Sequence, residues 1–300
     1  MSDARPRTAR LRRRSAALTV TSLVGAATVL VGAAAIAGPA ATAQGTRTVQ
    51  VSLASRLFGR TTVGVYLPNI ATFQLRTNGP NGTSGPVTLT NRFGPVGDVP
   101  VTGDWDNNGT VTIGVYDRAT RTFLLTDSNT SRLAGYRIIY GAAEDLPLSG
   151  DWNGDGTTTI GVFRQSDRHF YLRNSLSGGP ADTTFFYGSP GDIPLAGDWN
   201  GDGVTTVGVY RPSNATFYLR NSNTGGPADI SFRFGPIGGV IPIVGDWNND
   251  GTTTIGVYNT TNATFYVRDE NTGGIAEHRA TFGPGGSVIP VTGNWTGVHP

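Results

Sequence analysis

Five tryptophans, all in one Gly-(Asp/Asn)-Trp setting, constrain this chain more than any other feature. They are Trp105, Trp152, Trp199, Trp247 and Trp295, and successive copies lie 47, 47, 48 and 48 residues apart. A second marker also recurs five times: Val63-Gly64-Val65-Tyr66, Ile113-Gly114-Val115-Tyr116, Ile160-Gly161-Val162-Phe163, Val207-Gly208-Val209-Tyr210 and Ile255-Gly256-Val257-Tyr258. A third, Phe-x-(Leu/Val), starts at Phe73, Phe123, Phe170, Phe217 and Phe265. A long period held over five copies means a repeat architecture, in which each copy is one supersecondary unit and the core forms between copies.

Each period holds four short segments that suit strands, bounded by Gly, Pro, Asn or Asp. In one copy they span 193–199, 205–210, 215–220 and 230–234. Ile160 and Val162 alternate with Thr159, Gly161 and Phe163, the period of two of a pleated strand. With 43 Gly and only 15% charged residues, the composition agrees with an all-β chain rich in tight turns. Four antiparallel strands per period predict a β-propeller of five four-stranded blades. The last copy stops after Trp295 and supplies only a first strand, while the first clear strand, 61–66, is the second of a blade. Pairing these two ends closes the ring and removes a sheet edge. A competitor exists: residues 48–59 align without gaps onto 240–251, as a degenerate first strand.

Four copies carry a short acidic loop between the first and second strands, beginning at Asp104, Asp151, Asp198 and Asp246. Oxygen side chains stand at positions 1, 3 and 5, with Gly at 6: Asp104, Asp106, Asn108; Asp151, Asn153, Asp155; Asp198, Asn200, Asp202; and Asp246, Asn248, Asp250. A Ca²⁺ loop starts this way, because alternate residues turn oxygens inward and Gly permits the bend that presents the position 7 carbonyl. Position 7 is Thr110, Thr157, Val204 and Thr252, and position 9 is Thr112, Thr159, Thr206 and Thr254. No Glu stands at position 12, so up to four weak Ca²⁺ sites are expected, of the extracellular class at roughly 10⁻⁴ to 10⁻³ M. The same pattern also describes a hairpin turn held by Asx hydrogen bonds. The fifth loop, Asn294-Trp295-Thr296-Gly297, lacks the acids and is expected to take no ion.

The Gly-Asp-Trp-Asn-Gly-Asp-Gly loop followed by Ile-Gly-Val-Tyr resembles the FG-GAP/VCBS-type repeats of secreted bacterial proteins, related to the integrin α-subunit propeller. The likeness covers about residues 60–300. It implies a propeller with Ca²⁺ in the loop joining strands one and two, held at Asp104, Asp106, Asn108 and the equivalent trios. The Thr at position 9, where such repeats often carry Asp, departs from that pattern.

The net charge of +2 misleads. Six of the 23 basic residues, all Arg, fall in the first fourteen positions, and without that segment 17 Arg face 20 acids. A duplex-binding surface needs the opposite balance, so no nucleic-acid partner is expected. Residues 16–37 carry no charge and are followed by Ala41-Thr42-Ala43. A basic start, an apolar run and a small-x-small site read as a secretory signal peptide over 1–43, although the uncharged run could also span a bilayer as an anchor. Residues 44–60 are then a linker or degenerate strand, and 61–300 the propeller. The product is expected outside the cell as a monomer, free of the membrane after cleavage.

No Cys is present, and the three His are scattered. Neither a Gly-x-Ser-x-Gly nor a His-Glu-x-x-His context occurs. The acids repeat as structural parts do, so no enzyme and no catalytic residue is expected. The five Trp read as packing between blades, with sugar stacking as the alternative. Arg76, Arg173, Arg220 and Arg268 read as a solvated outer face. The function expected is an extracellular, non-catalytic binding or adhesion module for glycan or protein. A hydrolase or lyase with a site in the central funnel, and a passive spacer of the cell envelope, are the alternatives.

Overall fold

The computed structural model describes residues 61–76 and 89–296, and, as backbone alone, a short antiparallel pairing of Ser22–Leu23 with Ala26–Ala27. Apart from that pairing, residues 1–43, where a signal peptide is expected, and the 48–59 segment lie outside the described residues. The chain divides into two compact units, Met1–Ala54 and Ser55–Pro300, and all of the four-stranded sheets belong to the second. No helix occurs among the described residues, so none is long and apolar enough to cross a membrane.

Twenty strands form five four-stranded antiparallel sheets. Blade 1 is Ile289–Gly293, Thr62–Leu67, Thr72–Leu75 and Leu89–Arg92. Blade 2 runs Val99–Gly103, Thr112–Asp117, Thr122–Leu125 and Tyr136–Ile139; blade 3 runs Leu146–Gly150, Thr159–Arg164, His169–Leu172 and Thr183–Phe186. Blade 4 is Ile193–Gly197, Thr206–Arg211, Thr216–Leu219 and Ile230–Arg233, and blade 5 is Val240–Gly245, Thr254–Asn259, Thr264–Val267 and His278–Thr281. The ring closes as the sequence predicts: Ile289 pairs with Tyr66, Val291 with Gly64 and Gly293 with Thr62.

The Ile-Gly-Val-Tyr strand explains why the core lies between blades. Ile113 and Val115 turn to one side and pack on Tyr66, Phe73 and Leu75 of blade 1. Tyr116 turns to the other side, joining Phe123 and Leu125 against Ile160 and Val162 of blade 3. The same hand-over repeats from blade to blade, so the second strand is buried on both faces. Each Tyr or Phe of the motif meets the Phe of the third strand with ring centres 4.5–4.7 Å apart, a favourable tilted geometry. Gly at the motif's second position is a packing need: a Cβ at Gly114 would stand 2.5 Å from Leu125 Cδ2.

Candidate functional site

The acidic loops close on themselves. In blade 3 the Asp151 carboxylate accepts the N–H groups of Gly154 (2.8 Å), Asp155 (3.1 Å) and Gly156 (2.7 Å), using both oxygens. Asp155 accepts the Asn153 amide (2.9 Å) on one oxygen and the Thr157 N–H (2.8 Å) on the other. Asp198 and Asp202, with Asn200 and Val204, repeat this arrangement. Asp246 and Asp250, with Asn248 and Thr252, do so as well. In blade 2 the roles at positions 3 and 5 are exchanged: the Asn108 amide nitrogen donates to Asp106 at 2.8 Å, and the Asn108 side-chain Oδ1 accepts the Thr110 N–H. The Asn153 amide and then the Thr157 N–H hold Asp155 below the ordinary carboxylate range, and Asn200 with Val204 does the same for Asp202.

Position 9 is spent inside the blade. Thr112, Thr159, Thr206 and Thr254 are buried, and each hydroxyl donates to the Gly carbonyl just before the loop, at 3.1–3.2 Å. A Ca²⁺ ion wants six to eight oxygens free to converge. Here every oxygen of Asp151 and Asp155 already accepts an N–H, and the position 3 amide presents its nitrogen to the carboxylate beside it. As folded, these bonds hold each loop as an Asx turn, and each carboxylate oxygen keeps a further lone pair.

What the loops visibly do is clasp neighbouring blades. The backbone N–H of Asp151 donates to Thr205 Oγ1 (3.0 Å), and the Thr205 N–H returns a bond to the Asp151 carbonyl (2.7 Å). Asp104 with Thr158, Asp198 with Thr253 and Asp246 with Thr61 make the same reciprocal pair. At the fifth seam Val111 takes the place of the Thr, and only its N–H bond to the Asn294 carbonyl remains, at 2.8 Å. All five Trp are buried against this clasp. A Cβ on Gly197 would meet the Thr253 methyl at 2.6 Å and Trp199 at 2.7 Å, which is why Gly precedes the acid.

The arginine ladder is a correction to the sequence reading. Arg76, Arg220 and Arg268 are buried, not solvated. Arg220 threads the loop between strands three and four, donating to the Pro227 carbonyl (2.6 Å), the Gly225 carbonyl (3.1 Å) and Thr224 Oγ1 (2.8 Å). Arg173 and Arg268 fold their own loops in the same way. These side chains shape backbone; they do not decorate a surface.

Two kinds of concavity remain. On the axis, the first strands of all five blades surround a cavity of about 290 Å³, lined by residues such as Pro147, Leu148 and Ser149 and by no titratable side chain. Thr102, Ser149 and Thr292 cross it from blade to blade, donating to the carbonyls of Thr292, Thr102 and Val244 at 2.8–3.1 Å. Between blades lie clefts that the sequence reading missed, because their walls come from two repeats. The cleft at blades 3 and 4, about 380 Å³, has Tyr187, Gly188, Val209, Arg211 and Tyr218 on its walls. The one at blades 4 and 5, about 330 Å³, has the equivalent Phe234, Gly235, Val257, Asn259 and Tyr266. Arg211 covers the Tyr218 ring at 4.6 Å, whereas Asn259 replaces that arginine beside Tyr266.

Five blades, closed by the two ends of the domain and clasped loop to loop, define a five-bladed β-propeller. No protein-family model matches the chain, and no curated protein matches it. Among solved structures it is similar to the V. cholerae biofilm matrix protein Bap1, at 16% identity and a TM-score of 0.29, over 77% of this chain and 41% of that one. The match thus spans less than half of Bap1.

Proposed function

We propose that this chain is an exported, non-catalytic binding module that takes extracellular carbohydrate in its inter-blade clefts. The observation that carries this reading is the cleft between blades 4 and 5, where Tyr266 is half-buried with no arginine over its ring. An aromatic face beside amide groups (here Asn259 in the wall and Asn262, whose amide donates to the Tyr266 hydroxyl at 3.2 Å) is the mixed apolar and polar lining that small-ligand sites use. The axial cavity, lined by proline, aliphatic and small side chains, supplies no acid–base pair for hydrolysis. The signal-like N-terminus and the resemblance to FG-GAP/VCBS repeats support an extracellular setting.

A glycan array probed with the full chain tests this. Binding of defined glycans that Tyr266→Ala abolishes, with an unchanged melting temperature, is the expected result. Absence of binding to any glycan would turn the reading toward a spacer, and release of reducing sugar from a bound glycan would turn it toward a hydrolase.

A further inference from the structure

The blades are not equal where the clefts lie, and blade 2 departs from blades 3 and 4. In blade 3 the buried Asp145 receives a bidentate guanidinium: Arg164 Nε lies 2.9 Å from Oδ1 and Nη2 lies 2.9 Å from Oδ2, while the backbone N–H of Ala142 adds a bond at 2.8 Å. In blade 4, Asp192 is held identically by Arg211, at 2.8 Å for both contacts, and by the N–H of Ser189. Each guanidinium also lies over a tyrosine, Tyr171 at 4.4 Å or Tyr218 at 4.6 Å.

Blade 2 keeps the carboxylate and has replaced everything that answers it. Asp98 is the equivalent acid, and the residue nineteen positions on, where blades 3 and 4 have arginine, is Asp117. Three positions before Asp98 stands Pro95, which has no N–H to give. Leu124 replaces the tyrosine. The carboxylate itself has not moved: the β position of Gly94 lies 3.2 Å from Asp98 Oδ2, against 3.1 and 3.4 Å for Gly141 to Asp145 and Gly188 to Asp192. Asp98 is 5% exposed, slightly more open than Asp145 (1%) and Asp192 (0%), and its Oδ2 has no hydrogen-bond partner among the described residues. Asp117 is bonded to the turn that follows it, through the N–H groups of Ala119 and Thr120 and the Thr120 hydroxyl. That turn carries Arg118 and Arg121, both exposed, and neither pairs with Asp98 among the described residues.

A buried carboxylate with an oxygen left without a donor is costly and calls for a proton, a water, an ion or a partner group to answer it. We propose that the position beside Asp98, at the junction of blades 1 and 2, is a socket for a guanidinium presented from outside the blade, an arginine side chain of a partner polypeptide, received by Asp98 with Asp117 nearby. The fold itself supplies the template, since arginine occupies this position in blades 3 and 4. The rim suits a protein surface: Ile70 and Val96, 49% and 57% exposed, stand on two loops tied together by the Gly97 N–H to the Pro68 carbonyl (2.9 Å). Burial, then the charge of Asp117, pushes Asp98 up to about 7, the state an incoming cation would reverse. This inference does not depend on the carbohydrate reading, which concerns a different cleft.

The test is calorimetric titration of the full chain with Nα-acetyl-arginine-N-methylamide, alongside the blocked lysine, blocked citrulline and CaCl₂. Blocked arginine should bind with a Kd on the order of 1 mM, and the uncharged citrulline should not. Asp98→Asn should weaken binding roughly tenfold, the worth of a charge-assisted hydrogen-bonded pair. Asp117→Arg, which rebuilds the arrangement of blades 3 and 4, should raise the melting temperature and abolish binding. Equal binding by Asp98→Asn, equal binding of citrulline, or a Ca²⁺ response that Asp98→Asn removes while arginine gives none, would each overturn the proposal. So would arginine binding seen only in an Arg118→Ala/Arg121→Ala variant, because the socket would then be filled from within. Should Asp117→Arg not fold, Asp98→Asn decides alone.

Discussion

Replacing Asp98 by asparagine should stabilise the propeller at neutral and alkaline pH and leave it unchanged near pH 4. An aspartate ordinarily titrates near 3.8, and burial with the Asp117 charge raises this one to about 7. The sign follows from linkage. The folded state keeps its Asp98 proton to a higher pH than the unfolded state does, so stability falls as pH rises from about 4 to about 7, and the full penalty applies above that. Three units at about 1.4 kcal/mol each set a ceiling of about 4 kcal/mol. Solvent reaching the carboxylate and relaxation around it reduce this to about 2 kcal/mol. For a domain of this size, that is a gain of about 4–8 °C in Tm at pH 8 and less than about 1 °C at pH 4. Tryptophan-fluorescence melts of both proteins at half-unit steps from pH 4 to 8 measure it directly. Parallel curves with a constant offset, or a less stable variant at pH 8, would refute the reasoning.

Four further outcomes are expected. Melting curves in EDTA and in millimolar Ca²⁺ should agree within about 1 °C, because the loops satisfy their own carboxylates; a clear drop in EDTA would show that the Asp and Asn side chains turn to take an ion. Gly197→Ala should cost about 1–3 kcal/mol by forcing a methyl against Thr253 and Trp199, read as a lower denaturant midpoint. Val111→Thr should add the hydroxyl that the other four clasps have and gain about 0.5–1.5 kcal/mol, whereas Val111→Ala should lose stability. N-terminal sequencing of protein from culture medium should begin near Gln44, and recovery only in membranes with Met1 or Ser2 intact would favour an anchor.

The blade count, the strand order and the ring closure were legible because each depends on residues repeated in every copy. The Gly-Asp-Trp loop, the Ile-Gly-Val strand and the aromatic of the third strand are all demanded by one recurring contact between blades. The loop chemistry was not legible in the same way. Asp at position 1 serves an Asx turn and a Ca²⁺ site equally well, and the residue types there do not separate the two. Positions 3 and 5 hold one Asp and one Asn in either order (Asp106 with Asn108, Asn153 with Asp155), and this pair serves both readings too. What the structure adds is the direct amide–carboxylate bond between them. Arg220 and its equivalents misled because the end of a third strand reads as an outer edge, whereas the following loop folds over each guanidinium. The clefts were hidden for a different reason: their walls, such as Phe234 and Tyr266, belong to different blades.

Two local differences lie near the junction of blades 1 and 2, one on each face. On the loop face, Val111 meets Asn294 without the hydroxyl that completes the other clasps. On the opposite face, Asp98 lacks the arginine that Asp145 and Asp192 receive. Blade 1 is also the blade assembled from both ends of the domain, with Ile289–Gly293 beside Thr62–Leu67. Other bonds cross this seam, from Asn91 to the Ser131 carbonyl and from Asn129 to the Trp295 carbonyl, so the missing hydroxyl is a local difference and not an open joint. A ligand that completes Asp98 would add to blade 2 the bonds that Arg164 and Arg211 give to blades 3 and 4. By mass action such a ligand stabilises the fold in proportion to the logarithm of its occupancy ratio, [L]/Kd. On the proposal made above, occupancy of the site at Asp98 raises the melting temperature, so melts with and without blocked arginine read the same binding as the titration.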